Sequence, residues 1–349
     1  MVSQQIGINL TNARWLITGG CGFIGTSLIA HLLKENPTTR IRVLDNFSVG
    51  TKEDLAEVCS LSTAPSALDT QPPSLRPQSS ILSPVELVAG DIRDYEICLA
   101  CCQGVDIVVH LAANTGVAPS VENPRADMES NVFGIFNLLE AARINEVNKF
   151  IFASSGAPIG ECEPPIHEEM APRPVSPYGA SKLAGEGYCS AYYRTFGIKT
   201  VSLRFGNVYG PRSKHKNSVI AKFFKQALNG EALEIHGDGD QTRDFIYMDD
   251  LIRAIVLSVE TNTGGEVFQI ATYRETTINE IAQVVKGLVE SEIGKTVKIV
   301  RSSFRLGDVR RNFSDISKAR SVLGYVPEHD LHKGMEKTFH YFCIIERSR

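Results

Sequence analysis

Short apolar runs with little polar alternation recur through the first two thirds of the chain: RWLIT, IRVLD, VELVA, VDIVVHLA, KFIFAS and TVSLRF. Strands of this kind are expected where helices cover both faces of a parallel sheet. Between them lie stretches of helical period, FIGTSLIAHLLKE and MESNVFGIFNLLEAARI among them. The alternation predicts an α/β fold, a doubly wound parallel sheet, over residues 1–205. After about residue 206 the pattern turns mixed, with strand candidates LEIHG, EVFQIA and TVKIV and helix candidates NSVIAKFFKQALNG, DDLIRAIVLSVE and INEIAQVVKGLVE. Residues 206–349 therefore read as a smaller mixed α/β portion, with some chain crossing back to the large sheet. From Cys59 to Pro84 neither period persists, and serine and proline take 12 of 26 positions, so a mobile surface insertion is expected at 59–84. No internal repeat is visible.

With 349 residues, 43% hydrophobic and 22% charged, the chain can bury a substantial core. A formal net charge of −4 leaves no basic surplus for wrapping a phosphate backbone, which argues against a nucleic-acid partner. No apolar stretch reaches the roughly 18 residues of a membrane span. The opening MVSQQIGINLTNAR is too polar for a signal peptide, and a cytoplasmic location without membrane partners is expected. Eight cysteines in a chain of this length form no disulfide framework. The cluster CLACC (Cys98, Cys101, Cys102) lacks a second CxxC or a histidine pair, so it reads as buried small side chains and no metal is expected. His110, after an apolar run, reads as packed at a strand end.

The octet TGGCGFIG, residues 18–25, follows the first strand and opens the first helix, placing Gly19, Gly22 and Gly25 at G-x-x-G-x-x-G spacing. Such glycines permit a tight turn, close approach of backbone to a pyrophosphate, and close helix–strand contact, while the helix N-terminus attracts negative charge. Asp45 ends the second strand, where a carboxylate would hold ribose hydroxyls. It would repel a 2′-phosphate, and neither Asn46 nor Phe47 supplies a cation, so NAD is favoured over NADP.

In SPYGASK, Ser176 can cap a helix and Pro177 suits its first position, so Tyr178 and Lys182 fall on one face, one turn apart. A free phenol titrates near pH ~10, and a neighbouring ammonium together with a bound nicotinamide cation would pull that value toward working pH. Ser155, after KFIFAS, could hydrogen-bond the same substrate hydroxyl.

Together with DNFS (45–48), GDIRD (90–94), HLAA (110–113), RFGNVYGPR (204–212), GDQTRDFIYMDD (239–250) and RLGDVRRNFSDISKA (305–319), these motifs resemble the extended short-chain dehydrogenase/reductase family, in its branch of NAD-dependent nucleotide-sugar epimerases and dehydratases. The resemblance implies a Rossmann domain with a nucleotide-sugar-binding portion. It also implies that Ser155, Tyr178 and Lys182 are catalytic, Tyr178 removing the proton from a sugar C4 hydroxyl. By the same match Gly19, Gly22, Phe23, Ile24, Gly25, Asp45, Asn46, Asn131, Tyr178 and Lys182 would bind the cofactor, with Asp91 and Ile92 beside adenine and Leu111, Ala112 and Ala113 along it. Asn207, Arg243 and Arg305 would contact a diphosphate, Asp308 the uridine ribose, and Ser155, Val219 and Asn312 the rest of a UDP-sugar.

Dehydratases of the family carry an Asp-Glu pair straight after the hydroxyl residue, and related decarboxylases a glutamate; here those places hold Gly156 and Ala157, which cannot transfer protons. The remaining Ser155, Tyr178 and Lys182 suffice for oxidation and re-reduction at one carbon, so C4 epimerisation of a UDP-hexose leads, through a transient 4-keto sugar. A dehydratase or reductase of the same family stays the alternative, and a non-catalytic NAD-binding regulator the third reading. Asn312 stands where a bulky family residue would restrict the C2 substituent, so UDP-N-acetylhexosamines are expected as substrates, besides UDP-glucose and UDP-galactose. The chain departs from the family's V-Y-G text at GAPIG, which places Pro158 and Ile159 beside the hexose. Family members pair through the helices here at 125–145 and 178–196, so a homodimer is expected.

Overall fold

The computed structural model describes residues 13–60, 79–82, 85–304 and 309–347. The chain divides into two compact units: Met1–Gly160 with Ala171–Arg204 and Ala254–Phe268, and Glu161–Met170 with Phe205–Arg253 and Gln269–Arg349.

The first unit alternates strand and helix: β1 (Arg14–Thr18), α1 (Phe23–Glu35), β2 (Arg40–Asp45), α2 (Lys52–Ser60), β3 (Ser79–Leu82), β4 (Val85–Ala89), α3 (Tyr95–Cys102) and β5 (Ile107–His110). Then come α4 (Val117–Glu122), α5 (Pro124–Met128), a π-helical turn at Glu129–Phe133, α6 (Gly134–Ile144), β6 (Lys149–Ser155), α7 (Pro177–Phe196) and β7 (Lys199–Phe205). The sheet has eight strands in the order β12-β7-β6-β5-β1-β2-β4-β3, where β12 is Glu266–Ile270. Strand β1 pairs in parallel with β2 and β5, β2 with β4, and β5 with β6, while β3 runs antiparallel along β4 at the edge. Central strands are buried on both faces, β5 at every position, which is why they read as unbroken apolar runs.

EVFQIA supplies β12 of the large sheet. Two readings need correction. The expected continuous helix MESNVFGIFNLLEAARI is broken by the π turn, which turns the Asn131 side chain inward. Of the expected insertion 59–84, Cys59 and Ser60 close α2 and residues 79–82 form β3; the remainder lies outside the described residues. Cys98, Cys101 and Cys102 pack on one side of α3 against Leu138, Leu139 and Phe150 in the core between sheet and helices.

The second unit holds β8 (Asn207–Tyr209), α8 (Val219–Leu228), β9 (Leu233–His236), β10 (Thr242–Arg243), β11 (Phe245–Tyr247), β13 (Thr276–Thr277), α10 (Ile278–Ile293), β14 (Ile299–Ser302), α11 (Ser317–Leu323) and α12 (Leu331–Arg347). Helix α9 (Met248–Glu260) starts in it. Strands pair in twos, β8 with β11, β9 with β14 and β10 with β13. Its core is built where Phe223, Phe224 and Ala227 of α8 meet Ile281, Val285 and Val289 of α10 and Met335, Phe339 and Phe342 of α12. Each set recurs at helical spacing and so occupies one face. Among the described residues no helix is long and apolar enough to cross a membrane.

Candidate active site

The glycine-rich turn joins β1 to α1, with Gly19 at φ 69° and the Gly22 N–H closing onto the Gly19 carbonyl at 3.1 Å. A β-carbon on Gly25 would stand 2.4 Å from that carbonyl oxygen and 2.6 Å from Gly20 Cα, so only glycine lets α1 rise directly off the turn. Gly22 caps α1 without a side-chain acceptor, which leaves the first-turn N–H groups available to an anion. Thr18 ties in the next loop: its Oγ1 meets His110 Nδ1 at 2.8 Å and accepts from the Ala112 N–H at 3.2 Å, and its carbonyl accepts from Leu111 N–H. His110 is buried and stacked on Phe152, and burial lowers its pKa to about 3, so it is a neutral packing residue.

Asp45 is nearly buried, and its carboxylate accepts from the Cys21 N–H at 2.9 Å and the Phe47 N–H at 2.8 Å. Burial raises its pKa, with those two N–H groups opposing. Asn46 Nδ2 donates to Asp91 at 3.0 Å, and Arg93 forks onto the same carboxylate, holding it down to about 2. Gly19, Gly22, Phe23, Ile24, Gly25, Asp45, Asn46, Asp91, Ile92, Leu111, Ala112 and Ala113 thus gather at the C-terminal ends of β1, β2, β4 and β5, where open α/β sheets bind ligands. A ring of uncapped N–H groups beside one anchored carboxylate fits NAD.

Strand β6 ends at Ser155, and α7 begins with Ser176 accepting from the Gly179 N–H at 3.1 Å and Pro177 in the first turn. A β-carbon on Gly179 would lie 2.6 Å from the Ala157 carbonyl, so the glycine allows α7 to close against the loop after β6. The Tyr178 hydroxyl hydrogen-bonds the Ser155 side chain, whose Oγ also accepts from the Ala157 N–H at 3.0 Å. Lys182 is buried; its Nζ donates to the Ala153 carbonyl at 2.7 Å and lies 5.8 Å from the Tyr178 ring centre. Burial lowers it to about 8, opposed by Asp127 and then Glu186. Burial raises Tyr178 above its ordinary 10.0; the Ser155 hydrogen bond pulls it down and Asp127 pushes it up.

Asn131 is buried: its Oδ1 accepts from the Asn114 N–H at 2.8 Å, and its Nδ2 lies near Asn114 O, Asp127 Oδ1 and Ser181 Oγ. Sequence reasoning missed Asp127, Asn114 and Ser181, which come together only across the π turn. It also missed a buried pair, in which Arg204 forks onto Glu186 at 2.8 and 2.7 Å and Ser154 donates to Glu186 at 2.6 Å. Glu186 could have been found, since it continues the Tyr178–Lys182 face of α7 by one more turn.

In the second unit, Asn207 is exposed on β8, Val219 opens α8, and Asn312 is half-buried. Arg243 Nη1 donates to the Thr242 and Val309 carbonyls at 2.6 and 2.7 Å. Asp244 gathers the N–H groups of Thr272, Tyr273 and Ser314, which braces that strand. Arg305 and Asp308 lie outside the described residues. Ile159 of the GAPIG segment is buried, with its carbonyl accepting from the Arg173 N–H. Among the described residues no group of three or more His, Cys, Asp or Glu could hold a metal ion. The CLACC thiols are pushed up by burial, Cys101 to about 11 and Cys102 to about 12.

The sequence profile of the NAD dependent epimerase/dehydratase family matches residues 15–271. The chain belongs to that family. This family member is 35% identical over 331 residues, 93% of its length and 97% of the relative's, to a putative UDP-glucose 4-epimerase of Methanocaldococcus jannaschii. Its fold matches UDP-glucose 4-epimerase of Thermotoga maritima solved with UDP-glucose, at TM-score 0.82 and 33% identity, covering 95% of this chain and 99% of that one. It also matches UDP-N-acetylglucosamine 4-epimerase of Methanobrevibacter ruminantium M1, solved in complex with UDP-N-acetylmuramic acid, at TM-score 0.82 and 29% identity, covering 96% and 99%. The protein is an NAD-dependent enzyme of the UDP-sugar epimerase family.

Proposed function

We propose that this enzyme inverts C4 of a UDP-hexose through a transient 4-keto sugar, with UDP-N-acetylhexosamines among its substrates. One observation carries the reading: Tyr178 and Ser155 share a hydrogen bond with Lys182 one turn behind, while the next two positions bear no proton-transferring group. Among the described residues, a β-carbon on Gly156 would meet nothing within 4 Å, so no other side chain occupies that position. Tyr178 takes the C4 hydroxyl proton and returns it, Ser155 holds that hydroxyl, and the Lys182 ammonium favours the phenolate. Bound NAD supplies the hydride acceptor and donor. Inversion needs the hexose to turn while the nucleotide stays fixed. Asn207, Val219, Arg243, Arg305 and Asp308 are the residues proposed to anchor it, and Asn312 leaves room at C2. The relative solved with UDP-N-acetylmuramic acid supports a roomy C2 and C3 region.

The test is incubation with UDP-GlcNAc, UDP-glucose and UDP-glucuronate without added cofactor, read by proton NMR. Inversion at C4 is expected for UDP-GlcNAc; a stable ketone would instead assign a dehydratase, and turnover confined to UDP-glucose would refute the role of Asn312.

A homodimer through the helical segments 125–145 and 178–196 is part of the proposal. Phe133, Phe136, Tyr188 and Phe196 are all exposed there, and Phe136, Tyr188, Tyr192 and Phe196 stand in successive edge-to-face contacts. An aromatic strip on two adjacent helices can meet its own copy across a twofold axis. Phe136→Lys is expected to give a monomer by light scattering; an unchanged mass refutes the interface. A cytoplasmic setting suits eight cysteines that are all free thiols.

A further inference from the structure

Lys182 is asked to carry charge where burial disfavours it. Its Nζ has one carbonyl, Ala153 O, and the Phe152 ring with its centre at 4.8 Å. Two carboxylates oppose the loss of its proton, and they are not equivalent. Glu186 is already matched, because both its oxygens are held by the Arg204 fork. Asp127 is 1% exposed; burial raises its pKa, opposed by the Ser181 hydrogen bond, by Lys182, the one cation acting on it, and by Asn131. Its Oδ1 accepts from Asn131 Nδ2 at 2.9 Å, and it bonds the hydroxyl of Ser181, the residue next to Lys182. That hydroxyl also lies 3.0 Å from the Tyr178 carbonyl, and Asn131 Nδ2 reaches it at 3.2 Å. The carboxylate is therefore fastened to the first turn of α7 through two polar side chains rather than to solvent.

We propose that Asp127 is a positioning residue whose buried carboxylate, clamped by Asn131 and Ser181, keeps the Lys182 side chain charged and in place beside Tyr178. The inference rests on the catalytic reading of Tyr178 and Lys182 and adds a third member to it. The other groups facing Lys182 add no charge of their own at neutral pH. His110 of β5 is neutral through burial, and burial pushes the Cys189 thiol of α7 up to about 12. Ala153 and Phe152 of β6 offer a carbonyl and a ring. Tyr178 feels the same carboxylate with the opposite consequence, since negative charge hinders its phenolate. Asp127 thus trades some basicity of the phenol for a charged lysine.

The test follows the Lys182 Nζ by ¹⁵N-lysine NMR against pH in the NAD-bound protein, with the signal assigned by its loss in Lys182→Arg. Asp127→Asn is expected to lower the Lys182 midpoint by about one pH unit, the effect of removing a nearby opposite charge. The alkaline limb of the pH–rate profile is expected to move down with it. Asp127→Ser, which can still accept from Asn131, is the second neutral variant should the first not fold. A midpoint unmoved or raised in a folded variant, with only thermal stability lost, overturns the proposal. A midpoint that falls in a protein that turns over no UDP-hexose leaves Asp127 assigned and refutes the 4-epimerase reading instead.

Discussion

Glu186→Gln changes one atom in a place where charge has no solvent to turn to. Glu186 and Arg204 are 5% and 3% exposed, joined by two forked hydrogen bonds, with Ser154 on the same carboxylate. Arg204 Nη1 is already buried without a hydrogen-bond partner. The glutamine keeps the shape, cancels the negative charge and leaves the guanidinium uncompensated. Breaking a buried ion pair from one side costs about 3–5 kcal/mol. At about 2–4 °C per kcal/mol for a unit of this size, the melting temperature should fall by about 10 °C. The assay is built into the chain. Trp15 is its sole tryptophan and is 1% exposed in β1, so its fluorescence follows unfolding of the first unit. The paired change Glu186→Leu with Arg204→Met, which removes both charges, should recover most of the loss, since apolar replacement of a buried pair is often neutral. A melting temperature for Glu186→Gln within about 2 °C of the parent would refute the account, for the pair would then lie outside the cooperative core.

Gly25→Ala forces a methyl against Gly19 O and Gly20 Cα, so NAD affinity measured by calorimetric titration should drop at least about tenfold, since the shifted backbone misplaces the first-turn N–H groups. Tyr178→Phe removes the proton-transfer group and should lower turnover by about a hundredfold or more in the NMR assay, whereas a drop under about threefold would move the base elsewhere. Lys149 is buried, its Nζ bonded to the Thr261 and Thr263 carbonyls at 2.8 Å, and burial lowers its pKa to about 7. The unfolded chain keeps that proton up to its ordinary 10.5, so between those values the unfolded state binds more protons and stability should rise with pH. Urea unfolding followed by Trp15 should show this rise from pH 7 to pH 9 in the parent and a flatter response in Lys149→Met.

The central strands of the large sheet could be read from the chain because they are buried on both faces, and TGGCGFIG because turn, strand end and helix start are neighbours in sequence. SPYGASK was readable for the same reason: cap, proline and the Tyr178–Lys182 spacing all lie within one helical turn and a half. Which strand EVFQIA would lie beside could not be read, because a strand's partner is not written in its own residues. The π turn was invisible because nothing in ESNVF distinguishes it from a regular turn until Asn131 finds Asn114 and Ser181, the latter 50 positions away.

By itself, the amino-acid sequence determined the local chemistry: which residues can bend a turn around phosphate, which can give and take a proton, and that two positions after Ser155 cannot. Tertiary structure alone decided the electrical setting of that chemistry. A pKa depends on burial and on charges brought near through space, so neither the raised Tyr178 phenol nor the Lys182 ammonium, lowered by burial and supported by Asp127 and Glu186, could be deduced before the chain was folded.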